Sequence, residues 1–144
     1  MVRSWDSRSI VFLIALVAAG FGCEASTSPG DGTTEFLFQV REAPGAPGRI
    51  VARTSDPEVV RVAREQLLLP ESERELFFNG PIARGDGEHN QPWSWHFVPS
   101  EWEFVDNTIE LCDGTPQDVE NDLDYWVDNI GHYCPWSAYV VEER

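Results

Sequence analysis

The stretch "CDGTPQDVENDLDYWVDNIGHYC", Cys112 to Cys134, decides how the rest of the chain is read. Thr115 suits a helix N-cap, Pro116 the first helical position, and Asp118 the carboxylate of a capping box. Val119, Leu123, Trp126 and Ile130 follow at spacings of four, three and four, which draws a single apolar stripe. Asp122, Asp124 and Asp128 fall off that stripe and are expected to face water. Gly131 ends the element as a left-handed cap. The pattern predicts one helix of about 15 residues, roughly 22 Å at 1.5 Å per residue. Cys112 and Cys134 flank it, and their short connecting segments can fold back to the ~7 Å Cα separation that a disulfide needs, with little slack.

Upstream, "EFLFQV" (Glu35–Val40) places Phe36, Phe38 and Val40 on one side of a half-buried strand, and "IVART" extends a second. "SDPEVVRVAREQLLLP" predicts a helix capped by Asp56, with Pro57 and Glu58 in its first turn. Val59, Val60, Ala63 and Leu67 form its inner face, and Pro70 stops it. "ERELFFNGPIARG" reads either as a hairpin at Asn79-Gly80 or as one strand kinked at Gly80. Beyond it, Trp93, Trp95 and Phe97 share one face of a strand, with Ser94, His96 and Val98 on the other. "EFVDNTIELC" and "CPWSAYVVEE" supply further strands. Runs of strands with few helices predict an α+β fold, a mostly antiparallel sheet of about five strands with two helices on one face.

The chain's 144 residues divide into three parts. Arg3 and Arg8 precede an apolar run, Ile10 to Gly22, too short to span about 30 Å of hydrocarbon but suited to a signal peptide over residues 1–22. Cys23 stands where a lipoprotein's lipidated cysteine would, although Gly20 replaces the larger aliphatic residue usual three positions earlier. Ordinary cleavage after Ala25 is the alternative. The total of three cysteines favours lipidation, since it leaves Cys112 and Cys134 to pair in an oxidising compartment. Residues 23–34, rich in Ser, Thr, Gly and Pro, read as a flexible tether. Residues 35–144 read as one domain.

The net charge is −15 with histidines neutral; export would remove Arg3, Arg8 and Asp6 and leave eight arginines, no lysine and 24 carboxylates, near −16. Nucleic acid and anionic lipid surfaces repel such a chain. The charge is compatible with a soluble domain, a cationic partner or bound Ca²⁺.

The polar loop "GDGEHNQP" is the foremost candidate contact surface, through Asp86, Glu88, His89, Asn90 and Trp93, a tryptophan at a loop mouth being a common way to grip a sugar or a peptide. The Gly131–Trp136 segment is a second contributor. Asp86, Glu88 and Asn90 alternate like the oxygen donors of a calcium loop, without its full pattern or closing glutamate. His89, His96 and His132 are the only histidines and lack any H-E-x-x-H spacing. Their convergence with carboxylates would indicate a metal-dependent hydrolase. Ser94 and His96 point the same way on a strand, but no G-x-S-x-G accompanies them.

"DPEVVRVAREQL", "NGPIARG", "HNQPWSWHF", "IELCDGTPQDVENDLDYW" and "YCPWSAYVV" together resemble a family of small bacterial exported proteins. These are labelled calmodulin-binding-protein-like after the amino-terminal module of a eukaryotic calmodulin-binding protein. The most specific pieces are Asn90–His96, Cys112–Gly114 and Cys134–Ser137. The resemblance implies that both late cysteines belong to the family pattern, and it implies no enzyme activity. Calmodulin itself is not an expected partner: it takes basic amphipathic helices, and here the second helix carries Asp118, Glu120, Asp122, Asp124 and Asp128 without a basic residue. The expectation is a non-catalytic, exported binding domain, lipid-anchored to the cell envelope or secreted, without a cofactor, its partner an extracellular protein, peptide or glycan. Inhibition of an exported protease through an exposed loop is a related alternative.

Overall fold

The computed structural model describes residues 32–74 and 77–144. The expected signal peptide, Cys23 and all but the last residues of the expected tether lie outside them. In chain order the elements are β1 (Thr34–Val40), β2 (Arg49–Thr54), α1 (Pro57–Leu67), β3 (Phe77–Arg84), β4 (Trp95–Phe97), β5 (Glu103–Val105), α2 (Pro116–Asn121), a π-helical segment (Tyr125–Ile130), β6 (His132–Tyr133) and β7 (Ala138–Glu143). The fold is α+β with antiparallel pairing throughout. Among the described residues the strands number seven and divide between two sheets, where the sequence suggested about five strands in one.

The first sheet has the order β2-β1-β7, with Phe36 opposite Ala52 and Phe38 opposite Ile50 and Val140. In the second, β3 pairs with β4, β5 and β6. Period-two alternation aims Phe36, Phe38 and Val40 from one sheet and Phe78, Ile82, Trp95 and Phe97 from the other into a single apolar cluster. Phe38 and Phe78 stack at 4.1 Å, and the Trp102 indole meets both edge-on at 5.6 and 4.9 Å. This is the seam between the sheets.

The strand containing Asn79-Gly80 runs straight through, so the hairpin alternative does not occur. Between the pairs Ile82↔Phe97 and Asn79↔Glu103, β3 advances three residues while its partner chain advances six. The surplus is the 98–102 excursion, which brings Trp102 over Gly80. A Cβ on Gly80 would lie 2.4 Å from the Trp102 Cβ, so only glycine fits.

α1 starts as predicted, with the Asp56 carboxylate accepting from the N–H groups of Glu58 and Val59, and Val59 and Ala63 turned inward. The second helix also starts as predicted, on a complete Thr115–Asp118 capping box. It does not continue for 15 residues. The α-helical turns end at Asn121, Asp122 leaves helical geometry (φ −141°, ψ 57°), and the chain resumes as the π-helical segment. The Asp122 carboxylate accepts from the Tyr125 N–H at 3.4 Å, so this residue acts as a second N-cap inside the expected helix. The apolar stripe survives the break: Val119 and Trp126 are buried, and Leu123 and Ile130 pack against the core.

Candidate functional site

The loop after β3 is folded inward onto the first sheet. β2 is an edge strand, and its outward backbone groups need partners. Asn90, fully buried, accepts the Val51 N–H on Oδ1 at 2.8 Å and donates from Nδ2 to the Trp95 carbonyl at 2.9 Å. The Trp93 indole N–H donates to the Arg49 carbonyl at 2.7 Å, and the Trp102 indole N–H to the Arg53 carbonyl at 2.8 Å. Ser100 completes the row, its Oγ accepting from the Ser55 N–H at 2.8 Å. Side chains from the loops that connect the strands of the second sheet thus close the edge of the first.

This corrects the expected loop surface. His89, Asn90 and Trp93 are buried, and only Asp86 and Glu88 of the five anticipated contact residues reach solvent. Asp86 is itself engaged, its carboxylate accepting from the Glu88 N–H at 3.0 Å and the Gln91 amide at 3.1 Å. These bonds hold its pKa below the ordinary carboxylate value. The alternating donors expected for Ca²⁺ therefore point to different partners, Asn90 into the sheet and Asp86 into its own turn.

The histidines do not assemble as a triad. His89 and His96 lie with ring centroids 5.7 Å apart, each ring held through Nδ1 to a backbone carbonyl, Gly87 at 2.6 Å and Gly85 at 2.7 Å. Burial holds the His89 imidazole below its ordinary pKa. His132 is exposed on β6, opposite Pro81. Among the described residues no group of three or more His, Cys, Asp or Glu is placed to hold a metal ion. Ser94 and His96 also have separate partners: Ser94 donates from N and Oγ to the Glu120 carboxylate at 2.9 and 2.8 Å.

Large apolar side chains are exposed elsewhere, at Leu68 and Leu69 after α1 and as a pair beside the disulfide. Cys112 and Cys134 are bonded, with Cα atoms 5.2 Å apart. The Cys134 N–H donates to the Cys112 carbonyl at 2.8 Å, which fixes a single 3₁₀ turn, Glu110–Cys112. Because that turn must bury Cys112, it turns its neighbours outward: Ile109 is 65% exposed and Leu111 61%. Leu111 opens onto a groove of about 360 Å³ whose other walls include Asn79, Asn107, Ile130 and His132. Carboxylates neighbour its lining residues. Glu103 is the strand partner of Asn79, Asp106 precedes Asn107 and Glu110 lies between Ile109 and Leu111; all three are exposed and among the described residues none of them forms an ion pair, whereas Asp124 and Asp128 share Arg84 at 2.6 and 2.8 Å. Chemically the groove can hold an apolar side chain and hydrogen-bond its backbone.

The Gly131–Trp136 segment contributes to this region at its near end only. His132 lines the groove, Tyr133 and Cys134 are buried, and Trp136 is 40% exposed with its ring 6.3 Å from Phe77. Tyr133 donates its hydroxyl to the Gly114 carbonyl at 2.9 Å, and burial raises its pKa well above the ordinary value, so it stays neutral.

Sequence reasoning missed Ile109, Leu111, Asn79 and Asn107. The one available signal was "NTIEL", whose two apolar residues at period two read as part of a strand; β5 in fact ends at Val105. A family model described as the BP-74 N-terminal domain matches residues 34–144, from the first residue of β1 to the last of the chain. No curated protein and no solved structure matches.

Proposed function

The chain belongs to the BP-74 N-terminal domain family, and from that premise we propose that it is an exported, lipid-anchored, non-catalytic binding domain working through the groove beside its disulfide. The observation that carries the reading is the exposure of Ile109 and Leu111 on a turn held rigid by the Cys112–Cys134 bond. A leucine with 61% of its surface in water costs a folded domain nothing in packing, but covalent fixation next to an isoleucine makes a pre-organised apolar contact. The apolar run Ile10–Gly22 and the pairing of the two late cysteines support export, and a third cysteine, Cys23, directly after that run supports the anchor. Calmodulin is not the proposed partner, since acidic surfaces would meet.

The test is hydrogen exchange on the protein in membranes of the cells that make it, compared with the purified chain. Protection confined to residues 107–112 and 130–133 is the expected result. Protection elsewhere with none at the groove overturns the choice of surface. Labelling with an alkyne fatty acid that survives in Cys23→Ala overturns the anchor.

A further inference from the structure

We propose that the groove takes a short peptide segment that is both apolar and cationic, an inference that rests on the groove being the contact surface. Three features of the site together favour those two properties. Leu111 and Ile130 supply an apolar wall and Ile109 an apolar lip, which reward a branched aliphatic or aromatic side chain. Asn79 and Asn107 bring amide side chains to the same cleft, suited to a peptide backbone.

The charges next to the groove's lining residues along the chain and across the strands are acidic. Glu103 is the strand partner of Asn79, Asp106 precedes Asn107 and Glu110 lies between Ile109 and Leu111; all three are exposed and carry no ion pair among the described residues, whereas Glu35 is paired with Arg53, Glu143 with Arg64 and Asp128 with Arg84. Every arginine that forms an ion pair here is committed to a carboxylate outside the groove. His132 is the one titratable base on the groove wall. A segment bearing Lys or Arg beside its apolar anchor would meet complementary charge, and an acidic one would meet repulsion both locally and from a net charge of −15.

The experiment is selection of a randomised peptide library on the full-length chain, with the Ile109→Ser/Leu111→Ser variant as counter-target. Both side chains are more than half exposed, so the variant keeps the fold. Enriched peptides should carry net positive charge around an apolar residue. They should bind the double-serine variant about tenfold more weakly or worse. Their binding should also weaken on raising salt from about 0.05 M to about 0.5 M, and a Glu103→Gln/Asp106→Asn/Glu110→Gln variant should lose most of that salt dependence. Groove-dependent peptides that are neutral or acidic overturn the charge inference and leave the groove reading standing. Absence of any peptide that distinguishes the wild type from the double-serine variant overturns both.

Discussion

Asn90→Ala tests whether the polar loop after β3 is a fastening or a free surface. The side chain is fully buried and makes two hydrogen bonds, to the Val51 N–H at 2.8 Å and the Trp95 carbonyl at 2.9 Å. Truncation leaves a buried donor on β2 and a buried acceptor on β4, at about 1–3 kcal/mol each. Partial hydration of the small space offsets some of this, so we expect a loss of about 3 kcal/mol from a total that for domains of this kind is about 5–15 kcal/mol. Followed by tryptophan fluorescence in urea, with a slope near 1.5 kcal/mol/M, the midpoint should fall by about 2 M with the slope unchanged. Asn90→Asp should be no milder, since it keeps an acceptor for Val51 but presents a second acceptor, charged, to the Trp95 carbonyl. Glu88→Gln, on the exposed part of the same loop, should stay within about 0.5 kcal/mol. If Asn90→Ala is as mild as Glu88→Gln, the loop is not held as described and returns to being a contact surface.

Three further outcomes follow from the same contacts. His89 is nearly buried, and burial above all holds its pKa below 6.5; Arg53 and His96 add to the effect, while the Gly87 carbonyl and Glu35 oppose it. The unfolded chain therefore takes up a proton near pH 6.5 that the folded chain resists, so stability should decline as pH falls below that value, by at most about 1.4 kcal/mol per unit. His89→Gln should flatten the profile between about pH 7 and pH 5, and an unchanged slope would assign the effect to carboxylates. Gly80→Ala forces a methyl group to within 2.4 Å of the Trp102 Cβ and should lower stability by about 3 kcal/mol, read as a drop in melting temperature; a neutral result would mean the 98–102 excursion moves freely. Replacing Cys112 and Cys134 together by alanine opens a loop with a sequence separation of 22, for which chain entropy predicts a loss of roughly 3 kcal/mol. In that variant hydrogen exchange at Ile109–Leu111 should rise more than at β1, and equal increases would deny the disulfide its local role.

How much of this was legible depends on how far each contact reaches along the chain. The caps were readable because their partners are adjacent: Asp56 with Glu58 and Val59, Thr115 with Asp118. The inner faces of β1 and β4 were readable from alternation alone. The sheets' separation was not, because it depends on Phe38 meeting Phe78 and on Trp102 crossing Gly80, pairings that no local pattern encodes. The fate of the polar loop was hidden for the same reason. Glycine, charge and amide at Gly85–Gln91 look like a solvated turn until Asn90 is seen to face Val51, 39 residues earlier. The break at Asp122 was the opposite failure. Its cause is local, since an aspartate in mid-helix, on the face away from the apolar stripe, competes for a backbone N–H, but the stripe's regularity outweighed it in the reading.

The burial of the loop also redirects the search for function. An exposed β2 would offer unpaired N–H and C=O groups to any strand that approached, which is both a recognition device and an aggregation hazard. Here the row is closed by indole N–H groups, an amide and a serine hydroxyl. Each of these satisfies one backbone group, and none presents a new strand edge beyond it. Strand addition at β2 would require withdrawing Trp93, Asn90 and Trp102 together, at the cost of several buried hydrogen bonds and part of the aromatic core. A partner is far more cheaply met where the fold has already placed apolar surface in water. Among the described residues Ile109 and Leu111 are the pair of large hydrophobic side chains exposed by more than 60% on a covalently braced turn. The two most specific aromatic and cysteine motifs of the chain therefore divide their labour: Asn90–His96 shuts one surface of the domain, and the Cys112–Cys134 bond holds another open.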